Sequence, residues 1–129
     1  MATAIALTAQ PIVALSSSFT SQNLWEALDV SNYDVLDLEL GIVAASGGTP
    51  SGSITVQLMT PMQRQVDNAS WIVPATNFAN VSSGGSFPAW QIQTFEFGLL
   101  RYVRWKVSAF GGFTNLTLSI KGMGRKMGS

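Results

Sequence analysis

The chain has 129 residues, 47% hydrophobic and only 11% charged, with seven acids balancing seven Lys and Arg and with neither cysteine nor histidine. Such a length makes one domain, and the missing Cys and His exclude disulfides, thiol nucleophiles, imidazole bases, Ser-His-Asp triads and Cys/His zinc sites. A neutral total gives no field for nucleic acid or an anionic membrane. The charge content is far below the roughly 25% of a typical domain, and the Ser, Thr, Asn, Gln and Gly that replace it suit a β-rich protein of an assembly.

Residues 1 to 17 alternate weakly (Ile5, Leu7, then Ile12 and Val13) and are interrupted by Pro11, which suits a sheet edge or an extended arm. The first 25 residues carry no charge and Gln10-Pro11 breaks their apolar run, so they do not read as a signal peptide. No stretch reaches the roughly 18 apolar residues of a membrane helix. As an arm, residues 1–17 would expose Ile5, Leu7, Ile12, Val13 and Leu15 to water, and we expect these five to cover another protein surface. The segment LWEALDVS, 24–31, offers at most one helical turn.

From Val35 onward a period of two dominates. Leu36, Leu38, Leu40 and Ile42 alternate with Asp37, Glu39 and Gly41, the pattern of a half-buried strand. After a Gly/Ser/Pro turn, Ile54, Val56 and Leu58 oppose Thr55 and Gln57, and the two strands are predicted to form a hairpin with a long loop. A short strand is expected around Trp71 to Val73, stopped by Pro74, and SSGGSFP reads as a loop. In AWQIQTFEF, Trp90 and Ile92 are assigned inward against Gln91 and Gln93, although Phe95 and Phe97 fall on the glutamine side, as a bulge or a covered second face would explain. Val103, Trp105 and Val107 form an inner face opposite Tyr102, Arg104 and Lys106. Beyond Gly111-Gly112, Leu116, Leu118 and Ile120 again face inward, which predicts a second hairpin. The basic, Gly-rich end reads as a tail. The expected organisation is an arm over 1–17, a single antiparallel all-β sandwich over 18–122, and a flexible tail over 123–129.

The polar constellations read as structural. Asp37 and Glu39 lie side by side on a strand face, near Asp34, without the glycine-anchored loop of a calcium site. The pairs Gly47-Gly48, Gly84-Gly85 and Gly111-Gly112 are turns, because none precedes a helix carrying Lys-Ser/Thr. Sequons at Asn68, Asn80 and Asn115 are those expected by chance in so Ser/Thr/Asn-rich a chain. We therefore assign no catalytic, cofactor or metal residue and no small-molecule substrate. Trp90 and Trp105 are read as core, while Trp25 and Trp71, next to loops, are candidate interface anchors. Six of the seven acids lie between Glu26 and Asp67, and six of the seven cations lie from Arg101 onward, so internal pairing of early with late strands is expected. Arg104 and Lys106 either pair across strands with Asp37 and Glu39, at about 0.2–1 kcal/mol each, or reach a neighbouring subunit. Both alternatives stay open.

From Trp25 onward the chain resembles the jelly-roll β-sandwich head proteins of tailed bacteriophages. The likeness rests on SITVQLMTP, the Trp-bearing SWIVPATNF, the strand RYVRWKV and the closing FTNLTLSIKG, and it covers about residues 19 to 122. It implies a capsid decoration protein that sits on the head lattice, often as a homotrimer, and cements neighbouring major capsid proteins through an N-terminal arm. It also implies a place in the virion, assembled in the host cytoplasm, and no catalytic residues or cofactors. Head–tail connector and tail modules share the style. A carbohydrate- or receptor-binding module is the alternative, with Trp71, Asn77 and Asn80 as its nearest approach to a sugar platform.

Overall fold

The computed structural model describes residues 2–8, 10–16, 21–22, 26–61, 71–96 and 102–126. In chain order the strands are β1 (Ala2–Ala6), β2 (Ile12–Leu15), β3 (Leu28–Asp29), β4 (Val35–Ser46), β5 (Ser53–Pro61), β6 (Trp71–Ile72), β7 (Val81–Ser82), β8 (Ala89–Glu96), β9 (Tyr102–Phe110) and β10 (Asn115–Arg125). One sheet runs β1-β10-β4-β8, with β2 also beside β10; the other runs β3-β9-β5-β6, with β7 also on β5. Every pairing is antiparallel. The expected all-β sandwich is the observed architecture.

The alternation explains why these segments are strands and where they point. Leu36, Leu38, Leu40 and Ile42 of β4 and Leu116, Leu118 and Ile120 of β10 meet Ile54, Val56 and Leu58 of β5 and Val103, Trp105 and Val107 of β9 in one buried cluster. Each such side chain contributes about 1.5–3 kcal/mol of gross burial energy. Both inner faces are supplied by residues two apart, as the pleat requires.

The two predicted hairpins are corrected. β4 and β5 lie in opposite sheets, and so do β9 and β10. Alternation reveals which face of a strand is buried but not which neighbour it bonds, and two apolar faces meet equally well across a sandwich as along a hairpin. The connecting loops therefore cross the end of the sandwich, where they interlock. Ser51 N–H donates to the Gly111 carbonyl at 2.8 Å, and Thr114 N–H donates to the Ser46 carbonyl at 3.2 Å. Gly48 and Gly112 have φ of 68° and 83°, and a Cβ on either would come within 2.2 or 2.0 Å of the other loop's carbonyl oxygens. The glycine pairs are turns, as expected, but turns that need each other.

The N-terminal segment is the edge rather than the arm of the two sequence readings. Ala2 to Ala6 pair with Arg125 to Lys121, and Ile12 to Leu15 pair with Leu118 to Asn115. Pro11 sits just before the second of these short strands, where no ladder hydrogen bond is lost. Leu7, 7% exposed, and Ala14 belong to the core, with Ile5 and Ile12 packed against it. The tail expected over 123–129 is also corrected in part, because β10 continues to Arg125. Gly122 and Gly124 fill its inner positions, so no apolar alternation marks it as strand.

β8 is inverted relative to expectation. Trp90 stands opposite Gly41 and Ile92 opposite Glu39, so both face outward, with exposures of 53% and 72%. Gln91, Gln93 and Phe95 take the inner side; Phe95 is buried edge-on against Phe78, centroids 5.3 Å apart. Gln91 is satisfied there by the backbone, its amide donating to the Ala79 carbonyl at 2.9 Å and its oxygen accepting from Ala79 N–H at 2.8 Å. The Trp90 indole lies over Gly41, where a Cβ would come within 2.0 Å of it. Phe97 and Trp25, and the whole loop 62–70 between β5 and β6, lie outside the described residues.

Two substitutions test this assignment of faces. Leu118→Ala should cost about 2–5 kcal/mol in denaturant unfolding, as large-to-small core changes do. Ile92→Ala should stay within about 0.5 kcal/mol, as surface changes do.

Candidate functional site

The outer face of the β9 sheet is closed by the chain itself. Arg104 is 3% exposed, and its guanidinium lies 4.8 Å from the centroid of the Trp71 ring. Its Nε and Nη2 donate to the Gln22 carbonyl at 2.8 and 2.5 Å, and Nη2 donates to Ser21 Oγ at 3.3 Å. Burial pushes its pKa downward, because desolvation disfavours the charged form. Gln22 is itself buried: its amide donates to the carbonyls of Leu7 at 3.2 Å and Glu26 at 2.7 Å, and its oxygen accepts from Trp105 N–H at 3.3 Å. The cluster ties the N-terminal edge of one sheet to a central strand of the other. Arg104 therefore holds sheets together. Lys106, half-buried, stands opposite Gln57 on the same strand pair.

Neither cation meets Asp37 or Glu39, which lie in the opposite sheet, so that proposed cross-strand pairing is corrected. The expected early-with-late pairing occurs through β10 instead. Arg125 Nε lies 3.1 Å from Asp37 Oδ2, and Thr94 Oγ1 donates to Asp37 Oδ1 at 2.7 Å. The Thr94 hydrogen bond first, and the Arg125 contact second, hold the Asp37 carboxyl below the usual aspartate range. Trp71 reaches the Arg104 cluster rather than open solvent; its indole Nε1 is buried without a hydrogen-bond partner. Asn77 pairs its amide with the Leu58 backbone in both directions, at 2.9 and 3.1 Å, and Asn80 accepts from Thr55 Oγ1 at 3.0 Å. The amides proposed for a sugar platform are thus engaged in completing the edge of β5.

The outer face of the β4 and β10 sheet is covered only in part, with Val35 and Ser119 buried on it. Val13, Leu15, Trp90, Ile92 and Met123 are large, exposed and all on this side, by their register with Thr117, Asn115, Gly41, Glu39 and Asp37. Beside Met123 a shallow groove of about 500 Å³ is lined by Ala4, Ala6, Lys121 and Glu39 among others. Of the five apolar residues expected on an arm, Val13 and Leu15 reach this surface, whereas Ile5, Leu7 and Ile12 face the core. Trp90, Ile92 and Met123 were missed as surface residues. The signal that would have found the first two was Phe95 on the glutamine side of the same strand. Among the described residues no group of three or more acids is placed to hold a metal ion, and no helix is long and apolar enough to cross a membrane.

Two outcomes follow for the buried and exposed ion clusters. Arg104→Lys, which keeps charge but loses the planar fork, should lower unfolding stability by about 1–3 kcal/mol in denaturant melts. A depressed carboxyl adds stability that is complete above its unfolded value of about 4 and is lost as pH falls through the lower folded value. Asp37→Asn should therefore flatten the stability profile only on that acid side and leave the slope from pH 6 to 8 unchanged. Comparison of the chain with protein-family models, with curated proteins and with solved structures finds no match in any of the three.

Proposed function

We propose that this chain is a structural virion protein that decorates and cements a phage capsid lattice, with the major capsid protein as its partner. One observation carries the reading: five large apolar side chains, Val13, Leu15, Trp90, Ile92 and Met123, are exposed on the outside of a single sheet. The five are interspersed with Asp37, Glu39, Lys121 and Arg125, a mixture of apolar and charged side chains such as contacts between separately folded proteins carry. The small charge content of the chain suits a protein that works between others. Its place in the virion and its assembly in the host cytoplasm come from the resemblance to phage head proteins.

The mechanism is contact rather than chemistry. With residues 2 to 6 and 12 to 15 bonded to β10, binding proceeds through a preformed sheet face and the open β8 edge, not through a free arm. Among the described residues no strand lies on the far side of β8, which leaves it able to accept a partner strand. Purified protein added to particles that lack it should occupy regular lattice positions in electron micrographs. Trp90→Ala should reduce that occupancy severalfold without altering the unfolding midpoint. Equal occupancy for parent and variant, or binding only to host glycans, would contradict this reading.

A further inference from the structure

The apolar outer face has a self-complementary arrangement. Across one row of the sheet stand Ala6 on β1, Lys121 on β10, Glu39 on β4 and Ile92 on β8, each directly opposite the next. Small apolar, positive, negative, large apolar is a pattern that matches its own reversal. Ala6 lines the shallow groove, while Ile92 is the most exposed of the large apolar residues. A second copy turned about an axis parallel to the strands, midway between β10 and β4, inverts the strand order above the first. Ile92 of that copy then lies over Ala6 and the groove, and Glu39 of that copy lies over Lys121; the two-fold repeats both contacts.

We infer that this face packs against the same face of a second copy, sheet on sheet, as a two-fold dimer. Two stacked sheets lie about 10 Å apart with strands within about 30° of each other, a geometry that such an axis permits. Four strands about 4.8 Å apart and about eight residues long give a flat footprint of roughly 500 Å² per copy. The accessible area of an uneven surface exceeds its footprint, which brings the contact to the lower end of specific interfaces, about 600 Å² per partner. Glu39 and Lys121 are adjacent, yet the ion pair found on this face among the described residues joins Asp37 to Arg125 instead. Trp90, lodged over Gly41 next to Ile92, stiffens the inserted ridge. The inference rests on the proposed function in one respect, that this face is a contact surface; the second copy and the lattice compete for it, so the dimer is the free form and separates on the particle.

Sedimentation equilibrium of the full chain over a wide concentration range tests it. The parent should show a reversible monomer–dimer equilibrium. Ile92→Glu should raise the dissociation constant at least about tenfold, with an unchanged thermal midpoint confirming the fold. Glu39→Lys and Lys121→Glu should each weaken the dimer about tenfold by placing like charges together, and the doubly reversed chain should return to within about threefold of the parent. A chain that stays monomeric, that forms trimers, or whose double reversal is as weak as the single ones overturns the inference. If Ile92→Glu abolishes particle binding by a chain that never dimerises, this face contacts the lattice and the dimer alone is wrong. A dimer that behaves as described but binds no particle leaves the inference standing and removes the proposed function.

Discussion

Alternate residues of β4, β5, β9 and β10 must meet in one apolar layer, and the rest of the molecule is arranged around that requirement. Thirteen side chains from those four strands are buried there, Leu36, Leu38, Leu40, Ile42, Ile54, Val56, Leu58, Val103, Trp105, Val107, Leu116, Leu118 and Ile120. Because chain neighbours among them sit in opposite sheets, each connection has to turn across the open end of the core. The Gly47-Gly48 and Gly111-Gly112 loops do so in contact, and only residues without a Cβ fit where they touch. The crossing thus dictates the glycines.

The same layer leaves two outer faces, and the chain treats them differently. Over the β9 sheet, residues 21–22 and Trp71 enclose Arg104, whose desolvation is offset by charge-assisted hydrogen bonds to the Gln22 carbonyl and by the Trp71 ring. Breaking one member would leave a buried charge poorly compensated, so this cluster behaves as one unit. Over the β4 sheet nothing comparable is placed among the described residues. Its charged groups include a partly exposed Asp37–Arg125 pair, worth under about 1 kcal/mol, and the neighbouring Glu39 and Lys121. Arg104 is engaged within this chain, whereas Trp90 and Ile92, expected in the core, are exposed.

Much of the core was legible because period two is a local property. The inner faces of β4, β5, β9 and β10 could be read from a few residues each. Pairing partners could not, since they depend on contacts far along the chain, such as Lys121 with Glu39, 82 positions apart. Trp90 and Ile92 escape a local reading because bulk hydrophobicity does not by itself mean burial, while Gln91 can face inward because the Ala79 backbone satisfies its amide. The N-terminal segment looked detached because its strands are short and broken at Pro11. Its attachment comes from β10 and from Gln22, a residue whose role no local pattern announces. Of the candidate interface residues, Arg104 and Trp71 make contacts within this chain.

The central claim is that the outer face of the β4 and β10 sheet is the molecule's contact surface. Its most direct test is a concentration series of methyl and amide chemical shifts on uniformly labelled protein. Shifts that move with concentration should be confined to Ala6, Glu39, Trp90, Ile92, Lys121 and Met123 and their immediate neighbours. Movement centred instead on Trp71, Ile72 and Lys106, across the other sheet, would contradict the account.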